Sequence, residues 1–397
     1  MRILVVNALF PPDRTGSSIF SRQLADELAR QGHSVSVVTA SSDPDDEFPG
    51  ADYEVVRLKN RSISVGRFAW NYSIPLTMSP ANYRRIIAVV KDFRPDVILS
   101  HGQIFDLTWL ASLVARRKRV PHVVVIHTAI WHEDRIRRWV LRSFERLVIS
   151  PLVRLSRPSF VAVDKWTYND ARRHLARRRP IDVIPVSVDA QHVLHGDPEV
   201  ARTKYGLGFH PILLSLGHVV ALRNRMALIE ALPLILRSYP DLKTVVVGDL
   251  RETNFLERAD ELGVAHALVC LGSVPHSMMK HLLACASVEA HDLQGLGLGI
   301  TTVEAMCASV PIVAVATDDN YPGVSLRSFE GISFLAENKP STIARSVITL
   351  LDDPAARKHA VAAQHRLVSE LFTPSKATAK YLQALQSAVE DESRSSI

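Results

Sequence analysis

Short apolar runs alternate with helix-spaced apolar positions along almost the whole chain. Arg2–Asn7 reads as a strand, Ser18–Gln31 as a helix closed by Gly32, and Ser34–Thr39 as the next strand. Asp96–Ser100 and His122–His127 are strands on either side of the helical Leu107–Arg117, and Phe160–Val163 and Asp182–Pro185 close this half. The pattern then restarts with strand Ile212–Leu216, helix Met226–Ser238, strand Thr244–Val247, helix Glu252–Leu262 and strand Ala267–Leu271. Helix Ser277–Cys285, strand Ser287–Ala290, helix Thr302–Cys307 and strand Ile312–Ala316 follow. Such strand–helix alternation predicts parallel sheets covered on both faces. The polar stretch Ser187–His210, with Gly196, Asp197 and Pro198, separates the halves. The expected class is α/β, with two doubly wound parallel-sheet domains at 1–190 and 210–373 joined by a linker at 191–209. Helix Pro374–Val389 and a charged, serine-rich tail, Glu390–Ile397, come last. Ligands of open α/β sheets bind beyond the carboxyl ends of the strands, so two such halves imply a cleft between them.

Composition changes this picture only through charge. The chain has 397 residues and 47% hydrophobic content, which is ordinary for a globular protein of two domains. Cys270, Cys285 and Cys307 are odd in number and lack metal-ligand spacing, and read as reduced and buried in a cytosolic protein. The start, Met1-Arg-Ile-Leu-Val-Val, runs straight into a strand pattern without signal-peptide architecture. No apolar run approaches the ~18 residues of a membrane span. The expected location is therefore cytoplasmic, either soluble or peripheral on the inner face of the membrane. The net charge of +6 is uneven: Trp131–Pro180 holds 13 Arg or Lys against 5 Asp or Glu. Arg135, Arg137, Arg138, Arg142, Arg146, Arg154 and Arg157 interleave there with Trp139, Leu141, Phe144, Leu147, Val148 and Ile149. A basic amphipathic helix of this kind can lie on an anionic membrane surface; the same pattern also suits a solvated helix face. Helix-like spacing of the aromatics, with no recognised nucleic-acid-binding motif, argues against nucleic acid as a partner.

Three loops could carry chemistry. Gly295-Leu-Gly297-Leu-Gly299-Ile300-Thr301-Thr-Val-Glu304 is a glycine-spaced loop leading into a helix with a carboxylate near its start. Bare backbone there lets a phosphate or sugar approach N–H groups, and the carboxylate could accept bonds from ribose hydroxyls. Thr301-x-x-Glu304 equally matches a capping box, which needs no ligand. After the first strand, Phe10-Pro-Pro-Asp-Arg-Thr15-Gly16-Ser17-Ser18 opens a helix and suits an anion or a sugar hydroxyl, without the G-x-G-x-x-G of a dinucleotide site. After Ile212–Leu216 comes Gly217-His218-Val-Val-Ala-Leu-Arg223, where two cations could neutralise a diphosphate. His101 and His127 each end a strand. Their spacing does not suggest a metal pair, and no H-E-x-x-H, G-x-S-x-G or G-x-x-x-x-G-K-[ST] is present.

These ordered pieces together resemble the family-4 glycosyltransferases of the GT-B fold over almost the whole chain. The resemblance rests on Phe10-Pro-Pro…Gly16, Leu24…Gly32-His33-x-Val35-x-Val37-Val38-Thr39, Arg94-Pro95-Asp96-Val97-Ile98 with His101, and Ile184-Pro185-Val-Ser-Val188-Asp189. Gly217…Leu228-Ile229-Glu230-Ala231-Leu232, Val246-Val247-Gly248-Asp249 and the Glu304-Ala-Met segment complete it. It implies a metal-independent, retaining transfer from a nucleotide-diphosphate sugar to an acceptor hydroxyl, with no cofactor. It also implies a C-terminal helix crossing back to the first domain. Carried over by position, Gly16, Gly217, His218 and Arg223 would meet the donor diphosphate, and Gly297, Gly299, Ile300 and Thr301 would form the adjoining loop. His127 would contact the transferred sugar, Glu304 the ribose, Ser273 and Val274 the base, and His101 would lie on the acceptor side. His127, Arg223 and Glu304 are the residues assigned to catalysis.

Leu296 departs from the pattern, since a sugar-binding glutamate is usual there. His291, Asp292 or Glu289 could supply the missing sugar contact from the preceding strand end. His218 stands where an arginine is usual, and Val186-Ser187 replaces the usual Asn-Gly. An imidazole at His218 binds diphosphate only when charged, so donor affinity should fall as pH rises between about 6 and 8. The expected role is glycan, polysaccharide or glycolipid biosynthesis, with a glycan, a glycolipid or a small molecule as acceptor. Two alternatives share the architecture: a nucleotide-sugar 2-epimerase and a catalytically silent scaffold.

Overall fold

The computed structural model describes residues 1–13, 15–41, 52–64, 73–132, 134–220, 223–321, 324–326 and 333–395. Ala221 and Leu222 of the Gly217–Arg223 loop, and the last two residues of the tail, lie outside the described residues. The chain forms two compact units: residues 1–187 with 374–397, and residues 188–373.

Unit 1 runs β1 (Arg2–Asn7), α1 (Gly16–Arg30), β2 (Ser34–Ser41), β3 (Glu54–Lys59), β4 (Arg61–Ser64), β5 (Ser73–Leu76), α2 (Pro80–Phe93) and β6 (Val97–His101). It continues with α3 (Asp106–Lys118), β7 (His122–Ile126), α4 (Arg135–Phe144), α5 (Ser150–Arg154), β8 (Ser159–Ala162), α6 (Lys165–Ala171) and β9 (Ile181–Val183). Seven strands form one parallel sheet in the order β3-β2-β1-β6-β7-β8-β9, and β4 and β5 pair as an antiparallel ribbon. Central strands such as β6 and β7 are buried along their whole length, as expected where helices cover both faces. The order reverses between β1 and β6, whose last residues, Asn7 and His101, lie side by side. That reversal is the place where such sheets bind ligands. β3, the ribbon and α2 have no counterpart among the predicted elements.

Unit 2 comprises α7 (Pro198–Tyr205), β10 (Ile212–Leu216), α8 (Arg225–Ser238), β11 (Lys243–Val247), α9 (Asn254–Glu261), β12 (Leu268–Gly272), α10 (Met279–Cys285) and β13 (Val288–Glu289). α11 (Ile300–Cys307), β14 (Ala314–Val315), β15 (Phe334–Leu335), α12 (Pro340–Asp352) and α13 (Pro354–Leu367) follow. Its sheet has the order β12-β11-β10-β13, and a parallel bridge from Glu289 to Ile312 leads on towards the β14–β15 pair. Alternate strand positions feed two cores: Leu214, Leu216, Val245 and Val247 on one face, Leu213, Val246 and Val288 on the other. Here the order reverses between β10 and β13, so the segments after Leu216 and Glu289 emerge together.

The last helix, α14 (Pro374–Ser395), belongs to unit 1 and packs on α1 and on the β6–β8 part of the sheet. Its buried Tyr381 ring lies 5.8 Å from that of Phe20. The helix runs six residues beyond the predicted stop at Val389, because 390–395 holds neither Gly nor Pro to end it. The segment 191–209 is not an open linker. Asp197 caps α7 through a 2.9 Å bond from the Glu199 N–H, Pro198 takes the first helical position, and Gly206 ends the helix in the left-handed region. The Asp-Pro and Gly that suggested a break are helix start and stop signals. Among the cysteines only Cys285 is buried; Cys270 is exposed and Cys307 half-buried, contrary to the sequence expectation.

Candidate active site

In unit 2 the reversal of strand order gathers the glycine turns, the cations and the glycine-spaced loop. Gly217 follows β10 and Gly248 follows β11. A Cβ on Gly248 would sit 2.4 Å from the Gly217 carbonyl oxygen, and its φ of +130° is one that side chains rarely adopt. Only glycine lets these two strand ends meet so closely. Arg225, the first residue of α8, is buried beneath them, bonded to the Ser215 hydroxyl and, at 3.0 Å, to the Gly217 carbonyl. Burial pulls its pKa down to about 10 against the attraction of Glu289, so it stays charged. Arg225 was not among the predicted site residues. A basic residue in a first helical turn looks like a surface position, and its burial is decided by the neighbouring strand ends.

The glycine-spaced loop leads into α11, and its organiser is Asp292. This buried carboxylate pairs with Arg223, accepts the Gly299 N–H at 2.6 Å and the Thr302 hydroxyl at 2.7 Å, and lies 3.4 Å from His291 Nε2. Burial opposes its charge, but Arg223, His291, the Gly299 N–H and Thr302 outweigh that and hold its pKa below the ordinary value. A Cβ on Gly299 would lie 3.1 Å from an Arg223 nitrogen and 3.3 Å from the carboxylate, so the guanidinium packs on bare backbone. The α11 N–H groups of Ile300, Thr301 and Thr302 have no acceptor within the helix by construction. A fixed cation and a helix N-terminus therefore adjoin one another, which is the chemistry of an anion site.

Several expectations change here. The α11 cap is Gly299, served by Asp292, and the Glu304 carboxylate turns to His192 at 2.8 Å, so Thr301–Glu304 is no capping box. His291 and Asp292, expected as sugar contacts, are buried and bonded inward: His291 reaches Glu289 at 2.7 Å, Thr301 at 3.3 Å and Thr302 at 3.1 Å. Glu289 lies fully buried in β13 and serves His291 and Arg225. The Asp292 carboxylate is taken up by Arg223, Gly299 and Thr302, while one oxygen of the buried Glu289 has no hydrogen-bond partner among the described residues. Leu296 is half-exposed between Gly295 and Gly297, and Gly297 is buried with φ of +102°. His218 Nδ1 accepts the Asp249 N–H at 3.4 Å and faces the Asp249 carboxylate. The exposed Ser273 hydroxyl donates to that same carboxylate, while Val274 packs against the core.

In unit 1, Thr15 caps α1 and Gly16 is its exposed first residue. His101 and His127 stack with ring centroids 5.2 Å apart and share a 3.0 Å Nδ1–Nε2 hydrogen bond. The Phe20 ring meets both edge-on. Burial, and for His101 also the neighbouring ring, drives both pKa values down, His127 to about 4 and His101 well below its ordinary value. The pair is neutral at pH 7 and offers hydrogen bonds rather than charge. α4 and the following π-helical turn, Glu145–Ile149, present Ile136, Trp139, Phe144 and Leu147 to solvent beside Arg135 and Arg146.

Two parallel-sheet units, the second gathering a fixed cation and a helix N-terminus at its strand reversal, define an α/β protein of two doubly wound units. Sequence comparison then assigns the family. Residues 15–187 match the Glycosyl transferase 4-like domain and residues 201–366 the Glycosyl transferases group 1 domain. The chain belongs to the family-4 type glycosyltransferases of GT-B fold. It is 26% identical to the GDP-mannose-dependent alpha-(1-6)-phosphatidylinositol monomannoside mannosyltransferase of Mycolicibacterium smegmatis, over 79% of this chain and 80% of that one. It is 23% identical to the D-inositol 3-phosphate glycosyltransferase of Segniliparus rotundus, over 82% of this chain and 76% of that one. Among solved structures, Anabaena HepE in complex with UDP and glucose has the same fold, with a TM-score of 0.68 at 16% identity over 98% of this chain and all of that one. Among the described residues no helix is long and apolar enough to cross a membrane.

Proposed function

We propose that this glycosyltransferase takes a nucleotide-diphosphate sugar in unit 2 and transfers the sugar, with retained configuration, to the hydroxyl of a glycolipid or glycan acceptor. The observation that carries the donor assignment is the Arg223–Asp292–Gly299 arrangement at the start of α11. Arg223 and the first-turn N–H groups of α11 receive the diphosphate, and Glu304 accepts from the ribose hydroxyls. As the bond to the anomeric carbon lengthens, negative charge grows on the leaving diphosphate. A pre-fixed cation and backbone dipoles stabilise that charge without reorganising. Asp292 and His291 then act as positioning residues, holding Arg223 and the loop. The neutral His127 serves as a hydrogen-bonding partner for a sugar hydroxyl. The relative named for a phosphatidylinositol monomannoside supports a lipid-carried acceptor, and the one named for D-inositol 3-phosphate supports an inositol phosphate as the group recognised. The exposed apolar and basic surface of α4 supports contact with an anionic membrane.

Calorimetric titration with UDP and GDP, followed by incubation of the preferred nucleotide sugar with and without a lipid-linked acceptor, tests this reading. Nucleotide binding with acceptor-dependent glycoside formation is expected, and NMR of the anomeric proton reads the configuration. Conversion of the donor sugar without acceptor would show an isomerase instead. Failure to bind either nucleotide would overturn the donor assignment.

A further inference from the structure

His192, His276 and Glu304 come from three separate elements of unit 2, and nothing in their spacing along the chain links them. His192 ends a short turn before α7, His276 opens the turn before α10, and Glu304 lies in α11. One ligand atom from each lies within 4.8 Å of the other two. His192 Nε2 and Glu304 Oε1 are 2.8 Å apart, and the His192 and His276 rings stack with centroids 4.5 Å apart. The Glu304 carboxylate is almost wholly buried, whereas both imidazoles are partly exposed, so an ion has an entry path. Asp189 adds a further negative charge close enough to act on His192.

Two imidazoles and a carboxylate form a borderline-soft donor set, the kind that binds Zn²⁺ with one position left for water. Bonds of about 2.0–2.1 Å in tetrahedral geometry put ligand atoms about 3.3 Å apart. The present separations, 2.8 Å between His192 Nε2 and Glu304 Oε1 and within 4.8 Å for the set, bracket that spacing. We propose that His192, His276 and Glu304 form a binding site for a divalent transition metal of the zinc type. Coordination displaces the proton that lies between His192 and Glu304, which passes to solvent. The reaction itself does not call for this metal. If Glu304 holds the donor's ribose, as proposed above, metal and donor compete for one carboxylate, and zinc is an inhibitory ligand of the donor-free enzyme.

Co²⁺ titration of the full-length protein, followed by its visible absorption and then by displacement with ZnCl₂, tests the site. One saturable set of tetrahedral-type bands per chain is expected for the wild type. His276→Ala, a substitution in a partly exposed turn, should weaken Co²⁺ and Zn²⁺ binding at least about tenfold, since loss of even an outer-shell partner has that effect. His192→Ala should do the same. The other histidines are common to all three proteins and cancel in the comparison. Isotherms indistinguishable between wild type and His276→Ala, or no tetrahedral band in the wild type, overturn the proposal. Addition of uridine or guanosine, which lack the diphosphate that would chelate the metal, tests the link to the donor. A reduced band supports shared use of Glu304. A band that survives nucleoside shown by calorimetry to bind leaves the metal site standing and removes the ribose role of Glu304.

Discussion

Arg223→Ala is the most informative perturbation of the donor site. One guanidinium nitrogen is committed to Asp292, but the side chain is still 35% exposed, which leaves N–H groups within reach of a phosphate oxygen. A hydrogen bond to a charged group contributes about 1.5–3 kcal/mol. Loss of one such bond should weaken UDP or GDP binding by roughly 10- to 150-fold. The same substitution leaves Asp292 buried without its cation, which destabilises unit 2. Breaking a buried ion pair costs about 3–5 kcal/mol, and the partial exposure of Arg223 places this one well below that range. Arg223→Lys separates the effects. It keeps a charge near Asp292 but cannot serve the carboxylate and a phosphate in one plane. The expected order of affinity is wild type, then Lys, then Ala, with Lys close to wild type in melting temperature. The assay is calorimetric titration beside thermal melts of the same preparations. Nucleotide affinities within twofold across all three folded proteins would refute the assignment of Arg223 to the diphosphate.

Gly248→Ala should destabilise unit 2 by more than the roughly 1 kcal/mol of an ordinary backbone substitution, because its Cβ meets the Gly217 carbonyl at 2.4 Å and backbone must move; denaturant melts with and without nucleotide check this. Unit 1 should be sensitive to acid. Burial lowers the pKa of His101, of His122 to about 3 and of His127 to about 4, so the folded state binds fewer protons than the unfolded chain below pH 6.5. Stability is then full above pH 6.5 and falls by up to about 1.4 kcal/mol per pH unit for each histidine on going down towards pH 4. His122→Asn should lessen that slope in pH-dependent melts. Glu145 acts in the opposite sense: burial raises its pKa to about 7 against the pull of Arg142, so its contribution is present below about pH 4.5 and lost as pH rises through 7. Glu145→Gln should flatten that limb of the same profile. Replacement of Ile136, Trp139 and Leu147, which are 74%, 70% and 74% exposed, by serine should reduce co-sedimentation with phosphatidylserine vesicles without changing nucleotide affinity; unchanged sedimentation would remove the membrane role.

The periodicity of apolar residues alone determined the α/β class, the two sheets and most strand positions, because a strand buried on both faces must be a continuous apolar run. The glycine turns were equally legible, since glycine reports local backbone geometry, whereas α11 starts at Ile300 with Gly299 as its cap, two residues before the start expected at Thr302. What the chain does with its charges was not legible. Asp292 looked like a spare sugar contact and is the internal anchor of Arg223 and α11. Arg225 looked like surface and lies buried under two strand ends. His192, His276 and Glu304 are far apart in sequence and meet only because the turns before α7 and α10 converge on helix α11. A side chain's charge is written in its own residue, but its partners and burial depend on long-range packing, and those decide whether a carboxylate binds a ligand, an arginine or a helix end.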